Sequence, residues 1–304
     1  MSLKPGLSEA RWIAAGAVLL LAVMWVVIHF QRGQSAAEQM ALQARRLEAV
    51  HQIGLSLASA AEAERSAVMA ITDEDSQMYA DQARAASAAA EQACRELEGL
   101  LEPAERRLLS QFSQPFAEFQ RIDNEVLDLA VKNTNLKASG LAFGPAAAAV
   151  REMDTALARL PSDDVKIVRL ADDARIRGWR VLALLPPHIA EESDEKMDAM
   201  EAQMTAEDRE VRRSFDELAA LPTLTGNADL KAAMASYARF CDLRTQILKL
   251  SRENTNVRSL SISLNQERRV MLACRAALMA LQQAIAEEPV AGMTIRRPVN
   301  PREL

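Results

Sequence analysis

Aromatic residues make up only 4 % of the 304 positions, and the chain holds just 10 glycines, 11 prolines, 3 cysteines and 3 histidines. Each shortage removes a class of protein. Glycine and proline cluster at a few places, so the turn residues that several β-hairpins would need are missing. Abundant Ala, Leu, Glu, Arg and Gln favour helix instead. Cys94, Cys241 and Cys274 lie far apart with no CxxC spacing, which argues against a metal knuckle or a thioredoxin-type redox pair. His51 and His188 are isolated, and no metal-ligand cluster, nucleophile elbow or phosphate-binding glycine loop is visible. No catalytic residues, metal site or cofactor are therefore assigned, and an enzyme is not expected. The net charge of -6 is modest, and no Lys/Arg block interleaves with aromatics, so nucleic acid is not an expected partner.

One long hydrophobic run is present. From Trp12 to Phe30 the sequence WIAAGAVLLLAVMWVVIHF carries no charge. At about 1.5 Å per residue it nearly matches a hydrocarbon core of about 30 Å. Trp12 and Trp25 sit toward its ends, with Arg11 and Arg32 flanking it. The run exceeds the usual apolar region of a cleaved signal, although Ser35-Ala36-Ala37 has the small residues of a cleavage site; an uncleaved anchor in membrane lipid is the preferred reading. Lys4 and Arg11 on one side are balanced by Arg32, Arg45 and Arg46 on the other, so charge alone leaves the orientation open.

The strongest internal signal is a repeat. FQRIDNEVLDLAVKNTNLKASGLAF from Phe119 and FCDLRTQILKLSRENTNVRSLSISL from Phe240 align without gaps at a shift of 121 positions. Phe116 then falls on Tyr237, and Asn133-Thr134-Asn135 on Asn254-Thr255-Asn256. Thr72-Asp73-Glu74 falls on Ser193-Asp194-Glu195, in each case a capping residue followed by acids suited to a first helical turn. The spacing predicts two short helices and one long helix per unit: about 35–70, 74–100 and 104–160, then about 163–185, 190–220 and 228–286. Pro103, Pro161, Pro186-Pro187 and Pro222 with Gly226 supply the breaks, and Gly144-Pro145 only a kink in the first long helix, with Asn265-Gln266 at the corresponding place in the second. A heptad seam runs through Ile122, Val126, Leu129, Asn133, Leu136, Gly140, Phe143, Ala147 and Val150, and through Leu243, Ile247, Leu250, Asn254, Val257, Ser261 and Leu264.

Two short helices laid end to end match one long helix. The expected fold is therefore all-α: a short tail (1–11), a transmembrane helix (12–30), and two stacked four-helix bundles sharing two long antiparallel helices over 35–286, with repeat units about 37–160 and 163–286 and a flexible tail over 287–304.

The NTN-centred repeats, with FQRIDNEVLDLAVKNTNLKASGLAFGPA and LSRENTNVRSLSISL, resemble the periplasmic sensor domains of bacterial chemoreceptors, the methyl-accepting chemotaxis proteins. The likeness is to the helical bimodular type, or a tandem four-helix-bundle type, and covers about residues 35–286. It implies a single-pass protein of the bacterial inner membrane with its helical domain in the periplasm. It also implies a homodimer or a partner receptor or signalling protein, and a small ligand, often a carboxylate, held between helices. Such receptors continue into a second membrane helix, a HAMP segment and a methylated hairpin, whereas this chain closes on Ala291-Gly292-Met293-Thr294-Ile295-Arg296-Arg297-Pro298. A sensor-like module without its own cytoplasmic half is thus expected; a ligand-free helical scaffold of a membrane complex is the alternative.

Antiparallel threading puts Asn133, Thr134 and Asn135 level with Asn254, Thr255 and Asn256, where helix ends near Ile71 and Pro186-Pro187-His188 also arrive. These side chains either satisfy orphan backbone groups and fix register, or line a polar ligand pocket. A carboxylate ligand would need guanidinium forks, and matched heights nominate Arg65 with Arg258 and Arg175 with Arg244. Glu64 falls on a seam position beside Arg65, suggesting half of a buried ion pair. Cys94 and Cys274 come out at similar heights, either disulfide-bonded or simply small core residues.

Overall fold

The computed structural model describes residues 7–288, without the side chains of 7–23 and 26–35. Among the described residues every regular element is helical. In chain order they are α1 (Leu7–Met69), α2 (Asp73–Glu98), α3 (Pro103–Ala130), α4 (Thr134–Leu141), a π-turn (Ala142–Ala146), α5 (Ala147–Leu157), α6 (Val165–Ala183) and α7 (Leu185–Ala190). There follow α8 (Asp194–Ala219), a 3-10 turn (Pro222–Leu224), α9 (Ala228–Glu253), α10 (Thr255–Ile262), a second π-turn (Ser263–Glu267) and α11 (Arg268–Ala286).

The punctuation acts largely as its chemistry dictates. Pro103 opens α3, where its missing N–H leaves nothing unpaired. Thr72 Oγ1 accepts from the Asp75 amide at 3.0 Å, and its repeat mate Ser193 accepts from the Lys196 amide at 3.4 Å. That cap starts α8 at Asp194 rather than near residue 190, because Pro186 and Pro187 sit instead in the separate short helix α7.

Two departures from the expected long helices share one cause. Asn133 and Asn254 are the only described non-glycine residues with positive φ, at 50° and 52°. A left-handed residue cannot continue the i to i−4 ladder, so each long helix ends there and restarts one residue later; Asn tolerates this conformation better than most side chains. The seam therefore breaks at Asn133 and Asn254 instead of running through them.

The second departure is the pair of π-turns, which occupy the same place in both repeats: 142–146 and 263–267 differ by the repeat shift. Gly144-Pro145 is present in only one, so that dipeptide is not what makes the turn. A π-turn adds one residue to the helical circuit and slips the heptad phase by about 100°. Phe143 (68 % exposed) and Leu264 (57 %), both expected in the core, consequently face solvent. Ala142 and Ala146 point inward in one repeat, Ser263 and Glu267 in the other.

The chain packs as two units, each with its own buried residues. One takes the described residues up to Ala58, Ala86–Ala117 and those from Met271 onward. It buries Ile53, Leu57, Leu97, Phe112, Cys274, Leu281 and Ile285, with Phe112 stacked on Phe116 at 5.2 Å. Arg46, 3 % exposed, donates to the Leu100 carbonyl at 2.7 Å and to Glu288 Oε2 at 2.8 Å, satisfying a helix end and neutralising its own charge. Cys94 and Cys274 are both free thiols here.

The other unit takes Ser59–Ala85 and Glu118–Val270. In it α6 packs on α8, and α5 and α4 pack on α9. Met153, Leu157, Ile167, Leu185, Val211, Phe215, Tyr237, Phe240 and Ile247 form one cluster. Ala67, Ala80, Ile122, Val126 and Leu127 form a smaller one. Among the described residues no helix is long and apolar enough to cross a membrane; apart from Met24 and Trp25, the run Trp12–Phe30 lies outside the side chains that are described.

Candidate functional site

The left-handed asparagines leave Thr134 and Thr255 as the first residues of new helices, with amides that need acceptors. Each finds the other. The Thr134 amide donates to Thr255 Oγ1 at 3.2 Å, the Thr255 amide to Thr134 Oγ1 at 3.1 Å, and the two hydroxyls lie 3.2 Å apart. One position on, the Asn135 amide donates to Asn256 Oδ1 at 3.2 Å and the Asn256 amide to Asn135 Oδ1 at 3.1 Å. Asn135 Nδ2 then reaches Asn254 Oδ1 at 2.7 Å, and Asn256 Nδ2 reaches Asn133 Oδ1 at 2.9 Å. Every bond has its mirror image at the repeat shift, so the duplicated motif caps itself across a local two-fold.

The remaining amide hydrogens hold neighbouring helix ends. Asn135 Nδ2 donates to the Ile189 carbonyl at 2.6 Å and Asn254 Nδ2 to the Glu191 carbonyl at 2.8 Å, which fixes the C-terminus of α7. Asn133 Nδ2 donates to Asp73 Oδ1 at 3.0 Å. Lys137, 3.1 Å away, and Asn133 together hold the Asp73 carboxyl below its ordinary value. Five of the six motif side chains are buried, Asn133 completely. The arrangement is a saturated polar seam: its donors and acceptors are spent on protein groups, as the register-fixing alternative requires.

The candidate arginines do not converge on it. Arg175 donates to Asp154 at 2.6 Å and Asp172 at 2.9 Å, while Arg244 reaches Asp208 at 3.3 Å. These two are thus neutralised by separate carboxylates instead of facing one ligand. Asp208 also accepts from the Tyr237 hydroxyl at 2.7 Å and Arg212 Nε at 2.8 Å. Arg65 and Arg258 are exposed, and neither makes an ion pair among the described residues. Glu64, 1 % exposed, is not the ion-pair partner of Arg65; it accepts from Ser263 Oγ at 3.2 Å. None of the candidate residues lines the hollow of about 270 Å³ beside Arg169, Asp173 and Arg213, or the one of about 420 Å³ beside Arg151, Thr155 and Arg159.

Next to the seam stands a constellation that spacing alone did not reveal. His188 Nδ1 lies 2.8 Å from Ser251 Oγ, and its Nε2 lies 2.9 Å from Glu201 Oε1, which Arg252 Nε also meets at 2.7 Å. The order Ser-His-Glu is that of a nucleophilic triad. His188 and Ser251 are both fully buried, however, and Ser251 Oγ donates to the His188 carbonyl at 3.1 Å, so its proton is spent on the backbone and not on the imidazole. The network locks α7 between α8 and α9. Asp123 and Glu267 were likewise missed: both are buried beside Glu64, and Glu267 lies four and seven residues before the buried Met271 and Cys274, on an inward face that a seam followed only to Leu264 does not reach. Among the described residues no three His, Cys, Asp or Glu side chains are placed to hold a metal ion.

No protein-family profile matches the chain, and no curated protein matches it.

Proposed function

We propose that the chain is a membrane-anchored, non-catalytic sensor-like module of the kind its NTN repeats resemble, held by Trp12–Phe30 in a bacterial inner membrane with its helices in the periplasm. In this reading two four-helix modules share the long helices, and a homodimeric mate or a receptor or signalling partner takes up their movement. The observation that carries it is the reciprocal capping of Thr134 by Thr255, which ties the two repeats at equivalent points. A displacement of one long helix is then felt by the other. Since the seam is saturated, a small carboxylate would be held elsewhere, and Arg65 and Arg258 are the candidates without an ion pair among the described residues.

That same saturation favours a second reading, a ligand-free scaffold or spacer, whose seam should be closed. A melting screen of the full chain in detergent micelles against organic acids and amino acids separates the two. A ligand present at 100 times its Kd would add about 2.7 kcal/mol of stability. Stabilisation by one compound class, lost in Arg258→Ala or Arg65→Ala, supports the sensor. No shift with any compound supports the scaffold.

A further inference from the structure

Three acids from separate elements are buried together in the larger unit: Glu64 on α1 (1 % exposed), Asp123 on α3 (1 %) and Glu267 closing the second π-turn (3 %). One oxygen of each, Oε1 of Glu64, Oδ1 of Asp123 and Oε2 of Glu267, is sealed from solvent and has no hydrogen-bond partner. Buried carboxylates with orphan oxygens need a cation or a proton. The cations that act on them are distant in effect. Arg65 on α1 is exposed, and Arg84 on α2 is committed to Asp128 at 2.9 Å and Asp81 at 3.6 Å. Tyr79 on α2 packs on the adjoining apolar cluster. A metal ion is not served by this geometry. The proton is the cation that fits.

The repeat supplies an internal control. At the shift of 121, Glu64, Asp123 and Glu267 correspond to Leu185, Arg244 and Ala146. The acid cluster therefore belongs to one copy of the duplicated unit, while the π-turn belongs to both.

We propose that Glu64, Asp123 and Glu267 form a shared proton-binding site that holds the π-turn Ser263–Glu267 against α1 and α3, and that loss of its protons ejects Glu267. A π-turn is a stored one-residue slip. Deprotonation leaves three like charges in one buried site, and their repulsion drives Glu267, with the turn that carries it, away from Glu64 and Asp123. The turn is packed when the acids share protons and displaced when they are ionised, so pH decides between the two states.

The direction follows from the carboxyls. Burial pushes Asp123 up to about 7; burial, then the charges of Glu64 and Asp123, push Glu267 up to about 9; burial also raises Glu64. Folded values above the unfolded ones mean that the stability is fully present below the ordinary carboxylate range, where the unfolded chain is protonated too. It is lost as pH rises through about 7 and then about 9.

The test uses the full chain in micelles. At pH 7 wild type should show the infrared carbonyl band of a protonated carboxyl, diminished in Glu267→Gln and Asp123→Asn. Hydrogen exchange over Ser263–Glu267, divided by exchange over Ala142–Ala146 at each pH to cancel the intrinsic rate, should rise several-fold between about pH 6 and pH 9 in wild type and stay flat in Glu267→Gln. A constant ratio in wild type, or no protonated carboxyl at pH 7, overturns the proposal. The wild-type measurements decide the matter even if the variants fail to fold.

Discussion

The reciprocal threonine caps make a quantitative claim. Thr134→Val keeps the side-chain shape but removes the acceptor of the Thr255 amide and the partner of the Thr255 hydroxyl, both in a site where Thr134 is 3 % and Thr255 2 % exposed. A buried donor left without an acceptor costs about 1–3 kcal/mol, and the lost hydroxyl-hydroxyl bond adds about 0.5–1.5 kcal/mol. Each single variant should thus lose about 2–4 kcal/mol, and Thr255→Val should match Thr134→Val because every bond is duplicated. The double variant orphans both amides but loses the hydroxyl pair only once. It should fall short of additivity by about 1 kcal/mol. Urea unfolding of the four proteins, followed by far-ultraviolet circular dichroism, measures the cycle. Strict additivity, or single variants within about 0.5 kcal/mol of wild type, would refute the reciprocal seam.

The left-handed asparagines predict an inversion of helix propensity: Asn254→Gly should be less destabilising than Asn254→Ala by about 1–2 kcal/mol, since only alanine adds the Cβ clash at φ 52°. Equal losses would place the cost in the side-chain bonds alone. Phe143→Ser and Leu264→Ser should change stability by no more than about 0.5 kcal/mol, whereas Phe240→Ala, fully buried, should cost about 3–5 kcal/mol. The reverse order in a melting comparison would restore the uninterrupted heptad seam. Cys94 and Cys274, their thiols pushed up to about 12 mainly by burial, should resist alkylation at neutral pH and react only on unfolding, with no disulfide found by mass.

Local chemistry sufficed for much of this molecule. Scarce glycine and proline, the 121-position repeat, the caps at Thr72 and Ser193, and the pairing of Asn133-Thr134-Asn135 with Asn254-Thr255-Asn256 are all matters of residue type and spacing, and helix boundaries follow them within a few positions. Other features depended on partners remote in sequence. An asparagine in a heptad can sit in a seam or end a helix. What chose the second here was the opposing threonine, which offers the restarted helix an acceptor, and that acceptor exists only once the repeats meet. The same holds for the arginines: their guanidinium groups were legible, but Asp154 and Asp208, which neutralise two of them, reach them only through packing. The π-turns carry the lesson furthest, because one extra residue in a helical circuit leaves the composition unchanged and still turns Leu264 out while Glu267, three residues on, faces in. Periodicity fixes which residues share a helical face only while the helix stays regular; where it slips, the surrounding core decides.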